Sequence, residues 1–440
     1  MSKPSPIVYP YIPNSSPEVR AQMMKALGIS DIEELFSAIP EELRYRKKLN
    51  IPEPFESEFE LKKHVSGILN KNKDCTEKLS FLGAGCYQHY VPAVVDEVIN
   101  RGEFLTAYQG HTYTDQGRYQ VMFEYASMLT DLLGMGVCGM PTFDSFTASS
   151  TGIRMAGRIT ERDEILISSN INPQRLKHIE GYCKDIIDIT MIDIDEKTGL
   201  IDLADLEHKL SDDIAGFYIE NPGYLGVIET QWSQISELIH RNGSLLVVGV
   251  NPMSLGLLEA PGNYGADIVT GDGQPLGVHM QCGGGATGFI AVKDNEDAIN
   301  ELPTLLWTIT GLENGDEGFG FTYSHPARLS YTAREDSVEY TGTATGLWST
   351  ANAVYMALMG PQGMKEIGET IIERSHYAKQ LISEIEENTY SDIRTLKDFK
   401  QRLTRINSDI NKEERRIAEE KRIAEEKRIA EAEFSDTLFE

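Results

Sequence analysis

The sequence predicts an α/β protein built on one large, mostly parallel sheet. From about residue 80 to residue 292, short runs rich in β-branched residues alternate with helical stretches and with Gly or Pro turns, a pattern typical of a parallel sheet covered by helices. The chain has 440 residues and is 40% hydrophobic, which is enough for a sizeable core. The predicted strands are EILIS (164–168), IIDITMIDI (186–194), AGFYIE (215–220), SLLVVGV (244–250), ADIVTG (266–271) and TGFIAVK (287–293).

The first 79 residues predict a helical arm rather than a core. Capping residues precede three apolar-spaced segments, at 17–27, 31–39 and 57–70, and Gly28 follows the first of them. Ser57, with Glu60 three residues later, is typical of a capping box. We therefore expect short helices joined by Pro-containing turns.

Helices are also predicted between the strands and after them. They cover 172–181, a segment beginning at Leu203, and 231–241. Residues 300–345 are polar and Gly-rich and predict loops, and a long helical stretch follows with a break at Gly360–Pro361. The expected organisation is an arm (1–79), a large α/β domain (80–299), loops and helices leading toward an incomplete small domain (300–386) and a charged helical tail (387–440).

The tail contains a repeated R-I-A-E-E-K unit. Six residues advance a helix by about 600°, so Ile417, Ile423 and Ile429 fall about 120° apart and form no apolar stripe. The repeat therefore predicts a solvated single helix, stabilised by Glu-to-Lys and Glu-to-Arg pairs, and not a coiled coil.

Composition excludes several classes of protein. With 68 acidic and 41 basic residues, the net charge is −27, and a nucleic-acid binder would need a basic face. No apolar run reaches the ~18 residues that a membrane helix needs, and the first residues lack the apolar core of a secretion signal. We expect a soluble, cytoplasmic protein.

The five cysteines are scattered without a C-x-x-C pair, so neither a disulfide framework nor a metal site is predicted.

Two motifs have both a structural and a functional interpretation. Residues 283–288 spell G-x-G-x-x-G, but an apolar strand-like run follows where a dinucleotide fingerprint needs a helix, which favours a structural turn. Ser145, Thr147 and Ser149 precede a helical segment that carries Arg154 and Arg158. Such hydroxyls either cap a helix or help to form an anion site, and both interpretations remain open.

Aromatic residues and histidines are concentrated in two Gly-rich loops. The loops are FLGAGCYQHYVP (81–92) and LTAYQGHTYTDQG (105–117). Such clusters are either structural or part of a site, since loops on α/β scaffolds carry function. The candidate residues are His89, Tyr90, Tyr108, His111, Tyr113 and Gln116.

Several of these segments carry a resemblance to a known family. They are YPYIPNSSPEVRAQMMKALGI (9–29), FLGAGCYQHYVP, FLTAY (104–108), FEYASMLTDLLGM (123–135), ENPGYLGVIET (220–230), NPMSLGLLEAPGNYGADIVTGDGQPLG (251–277) and SHYAKQL (375–381). The chain resembles the glycine dehydrogenase (decarboxylating) family, the P-protein of the glycine cleavage system, and more narrowly its subunit 1, the alpha chain. The match runs in order to about residue 385.

The resemblance implies a fold-type-I pyridoxal-phosphate-dependent transferase architecture and a heterotetramer in which a beta partner holds the cofactor. That family decarboxylates glycine and passes the aminomethyl group to the lipoyl arm of the H-protein. A chain that bound the cofactor itself would need a Schiff-base lysine and a carboxylate against the pyridinium nitrogen. No lysine lies between Lys209 and Lys293, and Asn251 and Gln274 are degenerate cofactor positions. We therefore expect no cofactor on this chain.

The chain also departs from the family pattern. The second Gly-rich loop is altered around His111 and Tyr113, in a region that the family places toward the partner or the shared active site. The C-terminal repeat stands where the family has its small domain. Two hypotheses follow: an alpha subunit of glycine decarboxylase, and a divergent non-catalytic paralogue that acts in assembly or regulation.

Overall fold

A computed structural model describes residues 8–47, 49–74, 78, 87–105, 118–280, 286–325, 339, 341 and 344–389. The chain divides into two compact units, Met1–Leu79 and Ser80–Glu440. The predicted helical tail lies outside the described residues from position 390 onward, as do residues 283–285 of the glycine motif. Four of the candidate loop residues also lie outside them: Tyr108, His111, Tyr113 and Gln116.

The first unit contains short helices at the predicted places. Helix α1 (Pro17–Leu27) follows Ser16 and ends at Gly28, whose φ of +69° suits glycine. Asp31 caps a 3-10 helix, Ile32–Phe36, with a complete capping box. Helix α2 (Glu58–Leu69) begins after Ser57, whose hydroxyl accepts the Glu60 N–H. None of the described residues of this unit is buried, so its apolar side chains have no core of their own.

The second unit is built on a seven-stranded sheet with the order β1-β7-β6-β5-β4-β2-β3. The strands β2 to β6 run parallel, and β7 is antiparallel to both β6 and β1. All six predicted runs are strands, which confirms the mostly parallel α/β class. The strands are β1 (Val137–Cys138), β2 (Glu164–Ser168), β3 (Asp188–Ile192), β4 (Ile214–Asn221), β5 (Leu245–Val250), β6 (Ile268–Asp272) and β7 (Gly288–Val292).

Helices cover both faces of this sheet. Successive strand residues point to opposite faces, so Phe217 and Leu246 lie in one buried cluster, while Tyr218 and Val247 lie in another. Burial on both faces explains why the strands are continuous apolar runs. The helices of this unit are α3 (Ala93–Ile99), α4 (Gly102–Leu105), α5 (Tyr119–Leu133), α6 (Ser145–Thr160), α7 (Pro173–Cys183), α8 (Leu203–Lys209), α9 (Trp232–Arg241), α10 (Glu296–Asn300) and α11 (Gly346–Thr389).

The prediction of loops between residues 300 and 345 is partly wrong, because a β-hairpin lies in this segment. Strands β8 (Leu305–Gly311) and β9 (Glu317–Tyr323) pair antiparallel around a turn in which Gly315 has a φ of +87°. The aromatic ring of Trp307 packs against Tyr119, with ring centroids 5.3 Å apart. Asn314–Gly315 between two short apolar runs is a sequence pattern typical of a β-hairpin. The polar and glycine residues of the surrounding segment led to the prediction of loops instead.

The break predicted in the last described helix is present. Within α11, Gly360 has φ +59° and ψ −178°, and Pro361 follows it. The two helical parts therefore meet at a kink. Within the described residues, no helix combines the length and apolarity that a membrane crossing requires.

Candidate functional site

A small cleft lies at the carboxyl ends of the central parallel strands. Ligands of open α/β sheets bind at this edge, where strand ends and helix starts meet. The cleft has a volume of about 80 Å³. Its lining residues are Tyr87, Ser145, Arg175, Glu220, Pro222, Gly249, Val250, Asn251, Pro252, Asp272 and Pro275.

An ion pair between Arg175 and Glu220 forms one wall of the cleft. Arg175 Nε lies 2.6 Å from Glu220 Oε1, and the two side chains are only 12% and 11% exposed. The guanidinium also donates to Ser145 O at 3.1 Å and to Ser149 Oγ at 2.8 Å. Arg175 comes from the first turn of α7 and Glu220 from the end of β4, so the pair depends on how α7 packs beside the sheet.

Asp272 is a second buried carboxylate in the lining of the cleft. This carboxylate ends β6 and accepts three backbone N–H groups, from Ser145 at 3.0 Å, Gln274 at 2.9 Å and Thr287 at 3.0 Å. Burial raises the pKa of Asp272, although the three N–H donors act in the opposite direction. The carboxylate thereby joins the start of α6, the end of β6 and the segment that enters β7.

Two carboxylates of the chain each accept one N–H group at the start of α6. Asp144 is the N-cap, and its side chain accepts the Thr147 N–H at 2.7 Å. The Ser145 N–H is bonded to Asp272. Ser149 Oγ donates to Ser145 O at 2.7 Å and lies 3.0 Å from the Tyr218 hydroxyl. Capping is therefore present here, and an anion would have to compete with it.

Arg154 and Arg158 pair with acidic residues away from this helix start. Arg154 Nε lies 2.6 Å from Glu339, and Arg158 lies 3.2 Å from the same carboxylate. Arg158 also pairs with Glu301. Both arginines are thus engaged in one ionic cluster at the side of α6.

The two degenerate cofactor positions have local structural partners. Asn251 Oδ1 accepts the Met253 N–H at 3.0 Å and so caps the 3-10 helix Pro252–Gly256. Gln274 is 2% exposed. Its Oε1 accepts the Tyr87 N–H at 3.0 Å, and its Nε2 donates to the carbonyls of Tyr87 and Val278, both at 2.9 Å.

The described part of the first Gly-rich loop lies next to Gln274. His89 is half-buried, and burial lowers its pKa. Its ring meets that of Tyr87 edge-on, with centroids 6.3 Å apart. Tyr90 is 84% exposed and points a large aromatic surface outward.

Lys209 and Lys293, the two lysines that bound the lysine-free segment, bond to groups outside the cleft lining. Lys293 Nζ donates to Asp267 Oδ1 at 2.7 Å. Asp267 directly precedes β6, so this bond lies at the amino end of the strand, whereas the cleft lies at the carboxyl ends. Lys209 Nζ bonds Asp205 and the Met191 carbonyl, both on the β3 side. Among the described residues that line the cleft, none is a lysine.

Arg175, Glu220 and Asp272 were not among the site residues predicted from the sequence. Glu220 and Asp272 stand at the carboxyl ends of two predicted strands, and charged residues in such places are a recognisable signal. Arg175 gave no such signal, since an arginine in the first turn of a helix is usually solvated. In the described residues, no group of three or more His, Cys, Asp or Glu side chains is arranged to hold a metal ion.

Solved structures with the same architecture include the crystal structure of glycine decarboxylase (P-protein) of the glycine cleavage system in inhibitor-bound form. It is 30% identical, with a TM-score of 0.76, and the match covers 86% of this chain and 83% of that chain. Glutamate decarboxylase from Lactobacillus brevis is 12% identical with a TM-score of 0.57 over 78% of this chain and 77% of that one, and shares the fold alone. The fold-type-I class is confirmed.

Curated relatives match most of the chain. A protein of Carboxydothermus hydrogenoformans named probable glycine dehydrogenase (decarboxylating) subunit 1 is 37% identical over 383 residues, which cover 87% of this chain and 84% of the relative. A protein of Pyrococcus horikoshii with the same name is 35% identical over 407 residues, covering 92% and 89%. The family model for the glycine cleavage system P-protein matches residues 10–435, so the match extends past residue 385, where the resemblance was expected to end. The chain therefore belongs to the glycine cleavage system P-protein family.

Proposed function

We propose that this chain is subunit 1, the alpha subunit, of glycine dehydrogenase (decarboxylating), and that it supports the decarboxylation of glycine in complex with a second subunit. The observation that carries the proposal is the match over 87% and 92% of the chain to proteins named as that subunit. A chain similar to a numbered subunit over nearly its whole length is expected to occupy the same place in the same complex.

The cleft does not fit pyridoxal phosphate. No lysine lies among its described lining residues to form a Schiff base. Two of the N–H groups at the start of α6, those of Ser145 and Thr147, are bonded to Asp272 and Asp144, so fewer remain for a phosphate. Gln274 is fully engaged with backbone groups of Tyr87 and Val278. These contacts support the proposal that the beta subunit holds the cofactor.

The first unit supports the proposal of a partner subunit. It exposes many large apolar side chains, among them Tyr11, Leu43 and Phe59, and none of its described residues is buried. A segment that buries none of its own apolar side chains gains stability by packing them against another surface.

We also propose that the complex is a cytoplasmic heterotetramer that passes the aminomethyl group to the lipoyl arm of the H-protein.

The test is co-expression of this chain with a lysine-bearing beta chain. We expect a coloured complex with glycine–bicarbonate exchange activity, and a colourless chain when it is expressed alone. Borohydride reduction followed by peptide mapping should place the reduced pyridoxyl group on the beta chain.

A reducible Schiff base on this chain alone would contradict the cofactor assignment. A stable complex that lacks exchange activity would contradict the catalytic proposal, and would instead favour the non-catalytic paralogue. The beta chain expressed without this chain is the matched control, because it separates cofactor binding from catalysis.

A further inference from the structure

The second part of α11 carries a stripe of apolar and small residues that begins in the core and continues into solvent. Met364 is 5% exposed, and a Cβ added to Gly368 would lie only 3.3 Å from the Leu257 Cβ. Steps of three and four residues continue the same face of the helix. The members beyond the core are Ile371, Ser375, Ala378 and Ile382. Ile371 is 39% exposed and Ile382 45%, so the described part of the chain leaves this stretch of the stripe open to solvent.

The one polar member of the stripe can face an apolar neighbour. The Ser375 hydroxyl donates to the Ile371 carbonyl at 2.7 Å, so its hydrogen bond is made within the helix. Ser375 and Ala378 are also small, which leaves space for large side chains opposite them.

A matching pattern follows in the sequence, in residues 391–410. Ser391 and Asp392 are residue types that favour the start of a helix. Apolar residues then recur at steps of three and four, which predicts an amphipathic helix with a single stripe. They are Leu396, Phe399, Leu403, Ile406 and Ile410. The R-I-A-E-E-K repeat that comes next has no such stripe, so the pattern stops near Ile410.

The two stripes fit each other when the helices run antiparallel. Helix α11 ends at Thr389, so residues 390–391 would join it to the next helix start, a short connection typical of an αα-hairpin. Steps of three and four residues along one helix then meet the same steps, taken in the opposite direction, along the other. The facing pairs are Ile382 with Phe399, Ala378 with Leu403, Ser375 with Ile406, and Ile371 with Ile410. The last pair lies where α11 comes under the cover of the core.

Charge favours this segment over a second copy of α11 as the occupant of the stripe. Residues 361–389 contain six acidic and three basic side chains, whereas residues 391–410 contain five basic and three acidic ones. Opposite net charges beside an apolar seam favour pairing, and two acidic helices would repel each other. The short connection also gives the segment of the same chain a high effective concentration.

We propose that residues 392–410 form a helix that folds back antiparallel on α11 and covers its stripe from Ile371 to Ile382. The proposal does not depend on the proposed function. It means that this face of α11 is occupied by the chain itself and is not available to a partner subunit. The contact lies beyond Met364, the last buried residue of the core cluster, so it orders the end of α11 locally and has little effect on the melting of the core.

The first test is disulfide cross-linking in the full chain, with Ala378→Cys and Leu403→Cys introduced together. Under mild oxidation we expect a disulfide within one chain, and peptide mapping distinguishes it from bonds that involve the five native cysteines. The matched control combines Ala378→Cys with Gln401→Cys, because residue 401 lies about 160° from residue 403 around the helix. The control should cross-link at least tenfold more slowly. A disulfide between two chains would overturn the proposal, as would equal rates for the two pairs or no cross-link at all.

The second test is hydrogen exchange, which needs no new cysteine. Leu403→Asp should raise the exchange rate of the α11 amides at 371–382 at least tenfold, since the stripe loses its cover. The matched control is Gln401→Asp, which adds the same charge on the opposite face and should leave these amides unchanged. Unchanged exchange in Leu403→Asp would overturn the proposal. Melting curves show whether each variant keeps its core, and if Leu403→Asp does not fold, the comparison of the two cysteine pairs still decides the question.

Discussion

The side-chain amide of Gln274 joins two segments that lie 187 residues apart in the chain. It bonds both backbone groups of Tyr87 and the carbonyl of Val278, and it is almost completely buried. The family resemblance marked this position only as a degenerate cofactor position. The structure shows a positive role, because the amide holds the segment that leads to His89 and Tyr90 against the sheet.

We expect Gln274→Ala to destabilise the protein by about 2 to 4 kcal/mol, because three hydrogen bonds are lost and buried backbone groups are left unpaired. Urea unfolding measures the change. Gln362→Ala is the control: Gln362 makes one exposed side-chain bond, to Glu366 at 2.9 Å, and its replacement should change stability by less than about 0.5 kcal/mol. Equal effects of the two substitutions would contradict a role for the buried amide.

At the scale of elements, α6 shows why a helix start was open to two interpretations. Its hydroxyl-rich sequence suits both a cap and an anion site. The structure adds Asp272, a residue 127 positions from Ser145, which accepts one of the N–H groups that an anion would use. The cap itself is Asp144, a residue that was not predicted as the cap, and the second carboxylate comes from a distant strand that local sequence does not identify.

The kink in α11 depends on Gly360. Its φ of +59° with ψ of −178° is essentially restricted to glycine, so we expect Gly360→Ala to cost about 1 to 3 kcal/mol. The matched control is Gly181→Ala in α7, where the added methyl meets open space and φ is not positive. It should be neutral or stabilise by up to about 1 kcal/mol. Thermal or urea unfolding of both variants separates the effect of backbone strain at residue 360 from the general effect of replacing a glycine. A Gly360→Ala variant as stable as the unaltered chain would contradict the requirement for glycine at the kink.

The two larger buried clusters of the second unit lie on the two faces of one sheet, and a smaller third cluster joins α5 to the β8–β9 hairpin. They extend along the chain to Met364, with Ile367 packed against them. The repeated R-I-A-E-E-K unit that follows residue 412 has equal numbers of acidic and basic residues and no apolar stripe. The net charge of −27 therefore belongs to the rest of the chain, where it favours solubility and selection of partners.

A chain truncated after residue 390 should keep its fold, since the described core residues all precede that point. We expect the same circular dichroism spectrum and a melting temperature within about 2 °C of the full chain, a difference that corresponds to less than about 1 kcal/mol. Insoluble or molten truncated protein would show that the tail contributes to the core. Co-purification with the beta chain tests separately whether the tail has a role in assembly.

Apolar periodicity and nearby side chains were enough to predict the fold class, the six principal strands and the caps at Asp31 and Ser57. The predicted cap at Ser16 accepts no N–H group of its helix, and the reciprocal bond of the capping box at Ser57 is not seen among the described residues. The sequence also determined that no lysine lies between 209 and 293. It did not predict the β8–β9 hairpin, whose apolar residues are hidden among polar and glycine residues.

The residues that line the cleft follow from the tertiary fold and could not be predicted from the sequence. Arg175, Glu220 and Asp272 come from three separate elements, and their contacts exist because the parallel order of the strands brings those ends together. From the sequence, Arg175 would be expected to be solvated, but it forms a buried ion pair with Glu220 because α7 packs beside β4. The physical reason is that burial and pairing depend on contacts between residues far apart in the chain, whereas periodicity and capping are local.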